Sequence, residues 1–240
     1  MQEYLIFTLY GPLASWGGIA VGEYRPSLSH PTKSAVLGII AAAMGIDRYD
    51  DENHISLDSN IYLGLKVHSI GELLRDYHTI QVPASKKTHG TRKSEMSDEK
   101  IETILSQRDY RCDAFSSAAI LLKANKNFTL QSIAEKLQQP VYMPYLGRKS
   151  CTPALPFDPQ IVKSDDLKTA FSLYEKDSRI PEGLKGTLNG LGKKNLSTLY
   201  WEAGIEPGIS NFARIVMKDR VLSRKNWQFR DRVVYYGGAA

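Results

Sequence analysis

An α+β fold follows from the order of apolar runs in this chain: strand, helix, strand, strand, helix, strand. Three observations carry it. Tyr4 to Tyr10 is a dense β-rich run. Lys33 to Met44 has helical periodicity between a Thr32 cap and a Gly45 stop, and Thr129 caps a second amphipathic helix. That order is the ferredoxin-like or RRM-type arrangement.

Taken in sequence, Gly11-Pro12 ends the first strand and opens a loop that holds Trp16, Gly17, Gly18 and Arg25-Pro26. The helix from Lys33 is apolar nearly all round and therefore largely buried, with Gly38 allowing close backbone packing. Ile61 to His68 reads as the second strand, Leu73 to Val82 as the third, and Arg111 to Lys123 as a long returning one. Between the last two, residues 83–108 are polar and basic with no apolar periodicity until Ile101, which predicts a hairpin-like protrusion on the central hairpin. Leu130, Ile133, Ala134 and Leu137 mark the second helix, and Val141 to Met143 is expected to close the sheet as its fourth strand.

Beyond residue 150 the pattern changes. Leu167 to Tyr174 reads as helix, Gly183 to Gly192 as a loop carrying Lys185, Lys193 and Lys194 at its end, and Phe212 to Met217 and Trp227 to Tyr236 as strands. The expected division is residues 1–82 with 109–150 as the main domain, 83–108 as the insertion, and 151–240 as a small C-terminal β-rich subdomain.

Length and composition exclude several classes. At 240 residues and 42% apolar content the chain can bury a substantial core, and with 24% charged residues it is neither disordered nor fibrous. Its longest apolar run, Ala35 to Ile46, falls short of the roughly 18–20 residues of a membrane span. Met1-Gln2-Glu3 runs straight into a strand, so no secretory signal is expected. Cys112 and Cys151 form neither a disulfide framework nor a metal-ligand spacing, which fits a reducing cytoplasm. His30, His54, His68, His78 and His89 form no metal-binding motif, and there is no phosphate-binding G-x-x-x-x-G-K-[ST] loop. No metal or cofactor is expected.

The net charge of +5 points to an anionic partner, and its distribution sharpens the point. Residues 213–232 hold seven cations (Arg214, Lys218, Arg220, Arg224, Lys225, Arg230, Arg232) against two acids, a local excess equal to that of the whole chain. A second island, Tyr77 to Ser94, holds Lys86, Lys87, Arg92 and Lys93 with no acid. Such clustering focuses a field on polyanions, or forms solvated strand faces.

Tyr142 to Cys151 is the most informative segment. Tyr145 can stack on a splayed base, Leu146-Gly147 brings the backbone close, and Arg148, Lys149 and Ser150 can hold phosphates. Arg25 and Lys33 flank a loop and a helix start where backbone N–H groups favour an anion. Trp16 is a base-contact candidate, or a core or lid residue.

With these residues in view, the chain resembles the Cas-five (CasD) family of type I-E CRISPR Cascade subunits, in the RAMP superfamily. The resemblance rests on Gly11 to Gly17, Arg25-Pro26, Pro31 to Gly38, Gly45 to Arg48, Arg75 to Thr79, Tyr110 to Asp113 and Tyr142 to Cys151, seven stretches in order. It implies a palm (the RRM-type domain), an inserted thumb and a non-catalytic assembly role in a prokaryotic cytoplasm. Such a subunit grips the 5′ handle of CRISPR RNA and caps a filament of backbone subunits. It also contacts the large PAM-reading subunit, and meets target DNA only indirectly. The thumb, with Lys86, Lys87, Arg92, Lys93 and Arg108, is expected to reach along RNA, while Tyr110 to Asp113 organise its base. No membrane partner is implied.

Two other readings are open. In type I-C systems a related subunit cuts the repeat without metal, and Lys86, Lys87 and His89 with Tyr77 and His78 can be drawn as such a site. A freestanding RRM-type binder would show aromatic RNP segments, and their pattern is absent.

Overall fold

In the computed structural model of the chain, residues 1–84, 89–98, 100–123, 128–192, 197–210 and 212–238 are described. The elements run β1 (Gln2–Tyr10), β2 (Leu13–Ala14), β3 (Tyr24–Arg25), α1 (Lys33–Met44), α2 (Asp51–Asn60), β4 (Ile61–Ser69), β5 (Glu72–Pro83), α3 (Arg92–Met96), β6 (Ile101–Cys112) and β7 (Phe115–Leu122). They continue as α4 (Leu130–Gln138), β8 (Gln160–Ser164), α5 (Leu167–Lys176), α6 (Glu182–Gly192), β9 (Thr198–Trp201), β10 (Ala213–Ser223) and β11 (Gln228–Gly238). Helices and antiparallel strands share one α+β architecture.

The main sheet has seven strands in the order β10-β11-β9-β4-β7-β1-β8, every pair antiparallel. Its centre is buried on both faces, which explains the continuous apolar run of β1. Leu5, Phe7 and Leu9 pack with α1 and α4, whereas Tyr4 and Ile6 face Leu167, Phe171 and Tyr174 of α5. Thr8, the polar residue within that run, hydrogen-bonds to the Tyr174 hydroxyl at 2.9 Å.

The caps that delimit α1 are those expected. The Thr32 hydroxyl accepts from the Ala35 N–H, and Gly45 ends the helix in the left-handed region at φ +77°. Thr129 likewise caps α4, in a reciprocal capping box with Ser132.

Other expectations need correction. The segment Val141–Met143 is not the fourth strand: it is exposed, and the Val141 and Tyr142 N–H groups donate to the Ala43 and Ala42 carbonyls, satisfying the end of α1. The strand beside β1 is instead β8. The Arg111–Lys123 run breaks at Asp113, which adopts φ +55° between β6 and β7. The hairpin begins before residue 83, because β5 and β6 pair in unbroken register from Glu72↔Cys112 to Pro83↔Ile101. Helix α2 was masked in sequence by its polar composition, and α6 occupies the stretch read as a glycine-rich loop. The residues expected as a C-terminal subdomain contribute β8 to β11, and all four strands hydrogen-bond into the main sheet.

A buried ionic cluster fastens that C-terminal part to α1. The Lys33 ammonium, 2% exposed, donates to both Glu202 carboxylate oxygens at 3.1 Å and to the Asp58 and Ile61 carbonyls. Glu202 also accepts the Leu63 N–H at 2.7 Å. Arg232 donates to both oxygens of Asp219, which also takes the Lys33 backbone N–H at 2.7 Å, and Arg220 pairs with Asp58 at 2.9 Å. Burial pushes the Lys33 ammonium below its usual range, and Glu202 and Asp58 oppose that shift. Of the basic island, Arg232 is thus consumed inside the protein, and Arg220, a third exposed, is tied to the buried Asp58.

Removing one member of such a cluster strands its partners. Glu202→Ala is expected to destabilise the fold by about 3–5 kcal/mol, since Lys33 and the Leu63 N–H lose their acceptor. An unchanged urea midpoint would show that the cluster does not hold the hairpin.

Candidate nucleic-acid interface

The loop after α4 is built by one inward and several outward side chains. Leu146 is fully buried in the core, its carbonyl accepts the Ser15 N–H at 2.9 Å, and its N–H donates to the Cys151 carbonyl at 2.7 Å. Gly147 sits at φ +91°, where a Cβ would lie 1.8 Å from the Ser15 oxygen. No other residue fits there without moving the backbone. This pins the loop to the β1–α1 connection and projects Tyr145 and Arg148 outward.

Arg148 is held before any ligand arrives. Its guanidinium donates to the Asp109 carbonyl at 3.2 Å and the Arg25 carbonyl at 3.1 Å, and lies 4.7 Å from the Tyr110 ring centroid. Arg25, exposed on β3, sits beside Arg108 of β6 in parallel register.

Asp109 organises the surroundings. Its carboxylate, 3% exposed, accepts two hydrogen bonds from Arg75 and one from the Tyr24 hydroxyl, while its carbonyl takes Ser15 Oγ and Arg148. The Arg75 hydrogen bond holds the carboxyl below its ordinary value of 3.8. Asp109 therefore ties the base of the β5–β6 hairpin to β3 and to the loop.

These parts border one groove of about 360 Å³. Its lining comes from three places: Tyr145, Gly147, Arg148 and Arg25; the small residues Ser34, Ala35, Gly38 and Ala42 of α1; and Arg224, Trp227 and Phe229 in and after the turn joining β10 and β11. An aromatic ring and guanidinium groups around an open groove suit a single-stranded nucleic acid.

Of the expected site residues, the groove gathers Tyr145, Gly147, Arg148 and Arg25. Lys149 and Ser150 are exposed on the same loop but do not line it. Two assignments are corrected: Lys33 is locked in the ionic cluster and Leu146 is a core anchor; of the two readings of Trp16, the core one holds, at 1% exposure. Arg92 and Lys93 lie on α3 at the hairpin tip, where Arg92 pairs with Glu95 and the Gln81 carbonyl. Lys86, Lys87, Lys193 and Lys194 fall outside the described residues.

The sequence reading missed Asp109 and Trp227. Asp109 carries no local signal, because its partners lie 34 and 85 residues away. Trp227 carries one: an aromatic residue amid the basic island.

In the drawn nuclease set both imidazoles are engaged. His78 Nδ1 lies 2.7 Å from Asp76, and His89 lies 2.9 Å from Ser94 Oγ and 3.3 Å from Asp98. Among the described residues no group of three His, Cys, Asp or Glu side chains converges on a metal position, and no helix is long and apolar enough to cross a membrane.

Fold and groove together define the class: an α+β protein whose cationic, aromatic-edged groove runs along α1. Two solved structures share the fold. One, described as a CRISPR RNA-guided surveillance complex, superposes with a TM-score of 0.63 at 23% identity over 98% of this chain and 89% of that one. The other, described as a crystal structure of a Cas protein, gives 0.58 at 22% over 98% and 94%. The family described as CRISPR-associated protein (Cas_Cas5) matches residues 4–225. The CRISPR system Cascade subunit CasD of Escherichia coli (strain K12) is 30% identical over 178 residues, 73% of this chain and 78% of that protein. The chain belongs to the Cas5 family of CRISPR-associated proteins.

The Asp109 node makes a pH prediction. A carboxyl whose folded pKa is depressed stabilises the fold above the unfolded pKa, and that contribution fades as pH falls through the folded value. Asp109→Asn should therefore lower stability at pH 7 and flatten the loss of stability below about pH 4. Thermal melts of both proteins across that range check it, and parallel curves would remove Asp109 from this role.

Proposed function

We propose that this chain is a non-catalytic RNA-binding subunit of a Cascade complex, gripping the 5′ handle of CRISPR RNA and capping its backbone filament in antiviral defence. The observation that carries this is the convergence of Tyr145, Arg148 and Arg25 on one groove, in a chain with CasD among its relatives. The base stacks, the guanidinium groups take phosphates, and Lys149 adds charge at the rim.

The palm is read as ferredoxin-like. Strands β8-β1-β7-β4, with α1 and α4 on one face, reproduce the 4-1-3-2 order of that fold. The β5–β6 hairpin is the thumb, and Arg92, Lys93 and Arg108 lie along it toward the RNA and the adjoining backbone subunit. Residues 151–240 first supply the palm with its edge strand β8 and then continue as the C-terminal unit of α5, α6 and β9 to β11. The large PAM-reading subunit is the other partner, and the site of action is the prokaryotic cytoplasm.

Replacing Arg148 and Lys149 together by alanine should weaken handle binding by about 2–4 kcal/mol and make its salt dependence shallower by one to two ionic contacts. Equal affinity and slope in the assembled complex would reduce this loop to a surface turn.

Chemistry is tested separately. Repeat RNA incubated with the purified chain and EDTA should stay intact. Site-specific cleavage that vanishes in His89→Ala or Lys87→Ala would make the chain a repeat endoribonuclease instead.

A further inference from the structure

Part of the groove's lining comes from the turn joining β10 and β11, and neither the loop motif nor the family likeness assigns it a role. Three features set it apart. Arg224 crosses α1, its terminal nitrogen donating to the Ser34 carbonyl at 2.6 Å. It passes closely over Gly38, where a Cβ would come within 2.8 Å of that nitrogen and push the guanidinium aside. Its Nε–H is buried and has no hydrogen-bond acceptor among the described residues. A buried donor left open beside a groove is a place for an acceptor to arrive.

Trp227 is the second feature. It is 56% exposed, whereas Trp16 and Trp201 are 1% and 3% exposed in the core. The ring is nevertheless fixed. Its residue takes the left-handed conformation at φ +52°, and the Arg48 guanidinium stands 4.5 Å from its centroid. The Arg224 guanidinium stands 5.7 Å from the same centroid, so an indole held between two cations still leaves more than half of its surface open to a ligand. The third feature is Tyr145, which lines the same groove from the loop after α4.

We propose that the groove is a slot for one unstacked nucleotide, its base between Tyr145 and Trp227 and its phosphate on Arg224, Arg25 and Arg148. The inference rests on the RNA-binding reading above and deepens it. The volume, about 360 Å³, is on the scale of a small-molecule site and holds one nucleotide, not a duplex. Two aromatic side chains line the slot, so it selects an unpaired base and tolerates its identity. The Arg224 Nε–H gains a phosphate oxygen as its acceptor.

The test uses the full chain and its exposed tryptophan. The probe is single-stranded RNA with the 5′ segment of the host CRISPR repeat, together with a series carrying one abasic position moved along it. The RNA should quench tryptophan emission, and Trp227→Phe should remove most of that quenching because the other two tryptophans are buried. One abasic position should weaken binding to the unmodified chain roughly tenfold and have little effect on Trp227→Ala. Arg224→Gln should weaken binding and reduce the salt slope by about one contact. The ring is more than half exposed, so both Trp227 variants should melt with the parent, and Trp227→Phe retains an aromatic face.

Unchanged RNA affinity in Trp227→Ala, with no abasic position standing out, overturns the slot. If the Arg148 and Lys149 double variant still loses RNA, the RNA-binding reading survives that result. If the parent chain binds no RNA, both fall. Adenosine monophosphate alone is the last arm: binding as tight as that of the RNA would make this a free-nucleotide site and overturn the proposal.

Discussion

The buried cluster of Lys33, Asp58, Glu202, Asp219, Arg220 and Arg232 is the constraint on which the rest of the architecture depends. It draws on α1, α2, β9, β10 and β11, whose partners lie up to 186 residues apart in sequence. Each charge is met by an opposite charge or by backbone groups, the condition under which buried ions persist. Apolar contacts bring the C-terminal hairpin to the sheet. The ionic geometry fixes where along α1 it sits, because Asp219 must reach the first N–H of that helix. Asp51 then pins the far end, accepting the Arg224 and Lys225 N–H groups and the Ser223 hydroxyl. The groove exists because these two clamps set the Arg224–Trp227 turn against α1, where it lines the groove together with the Tyr145 loop.

Much of the main sheet and of its flanking helices was legible in the sequence because the signals are local. Thr32 and Gly45 bound α1, Thr129 opens α4, and the apolar run of β1 declares a strand covered on both faces. The errors came where a residue's role is set by distant partners. Lys33 sits at a helix start, a position that invites an anion. The anion it meets is Glu202, from the other end of the chain. Val141–Met143 has strand composition, but the open carbonyls of α1 capture its N–H groups. Helix α2 has no apolar stripe, because Asp51 and Asp58 use its polar side chains to bind β10 and the turn after it.

The candidate site divides in the same way. The Tyr145–Arg148 segment could be read directly, since ring, glycine and cation follow one another in sequence. Asp109 could not, because nothing in its neighbours announces that Tyr24, Arg75, Ser15 and Arg148 converge on it. The basic island misled by its count: Arg220 and Arg232 pair with buried carboxylates, while Arg224 faces the groove. Net charge reports how many cations a segment has, not which of them meet solvent.

The coverage of the sheet decides where a ligand can bind. In a freestanding RRM the open sheet face carries the stacking aromatics. Here α5 occupies that face, and α1 and α4 occupy the other. Neither face of the central strands is free, so the open surface left for the proposed ligand is the groove along α1 and the loops that border it. Loops lack the rigidity of a sheet, and this protein restores it with anchors: buried Leu146 in the core, buried Asp109 at the hairpin base, and half-buried Asp51 under the turn. Each holds a loop whose exposed side chains line the groove or stand at its rim. Rigid placement lowers the ordering entropy lost on binding, so a few stacked and charged contacts suffice to hold a flexible strand.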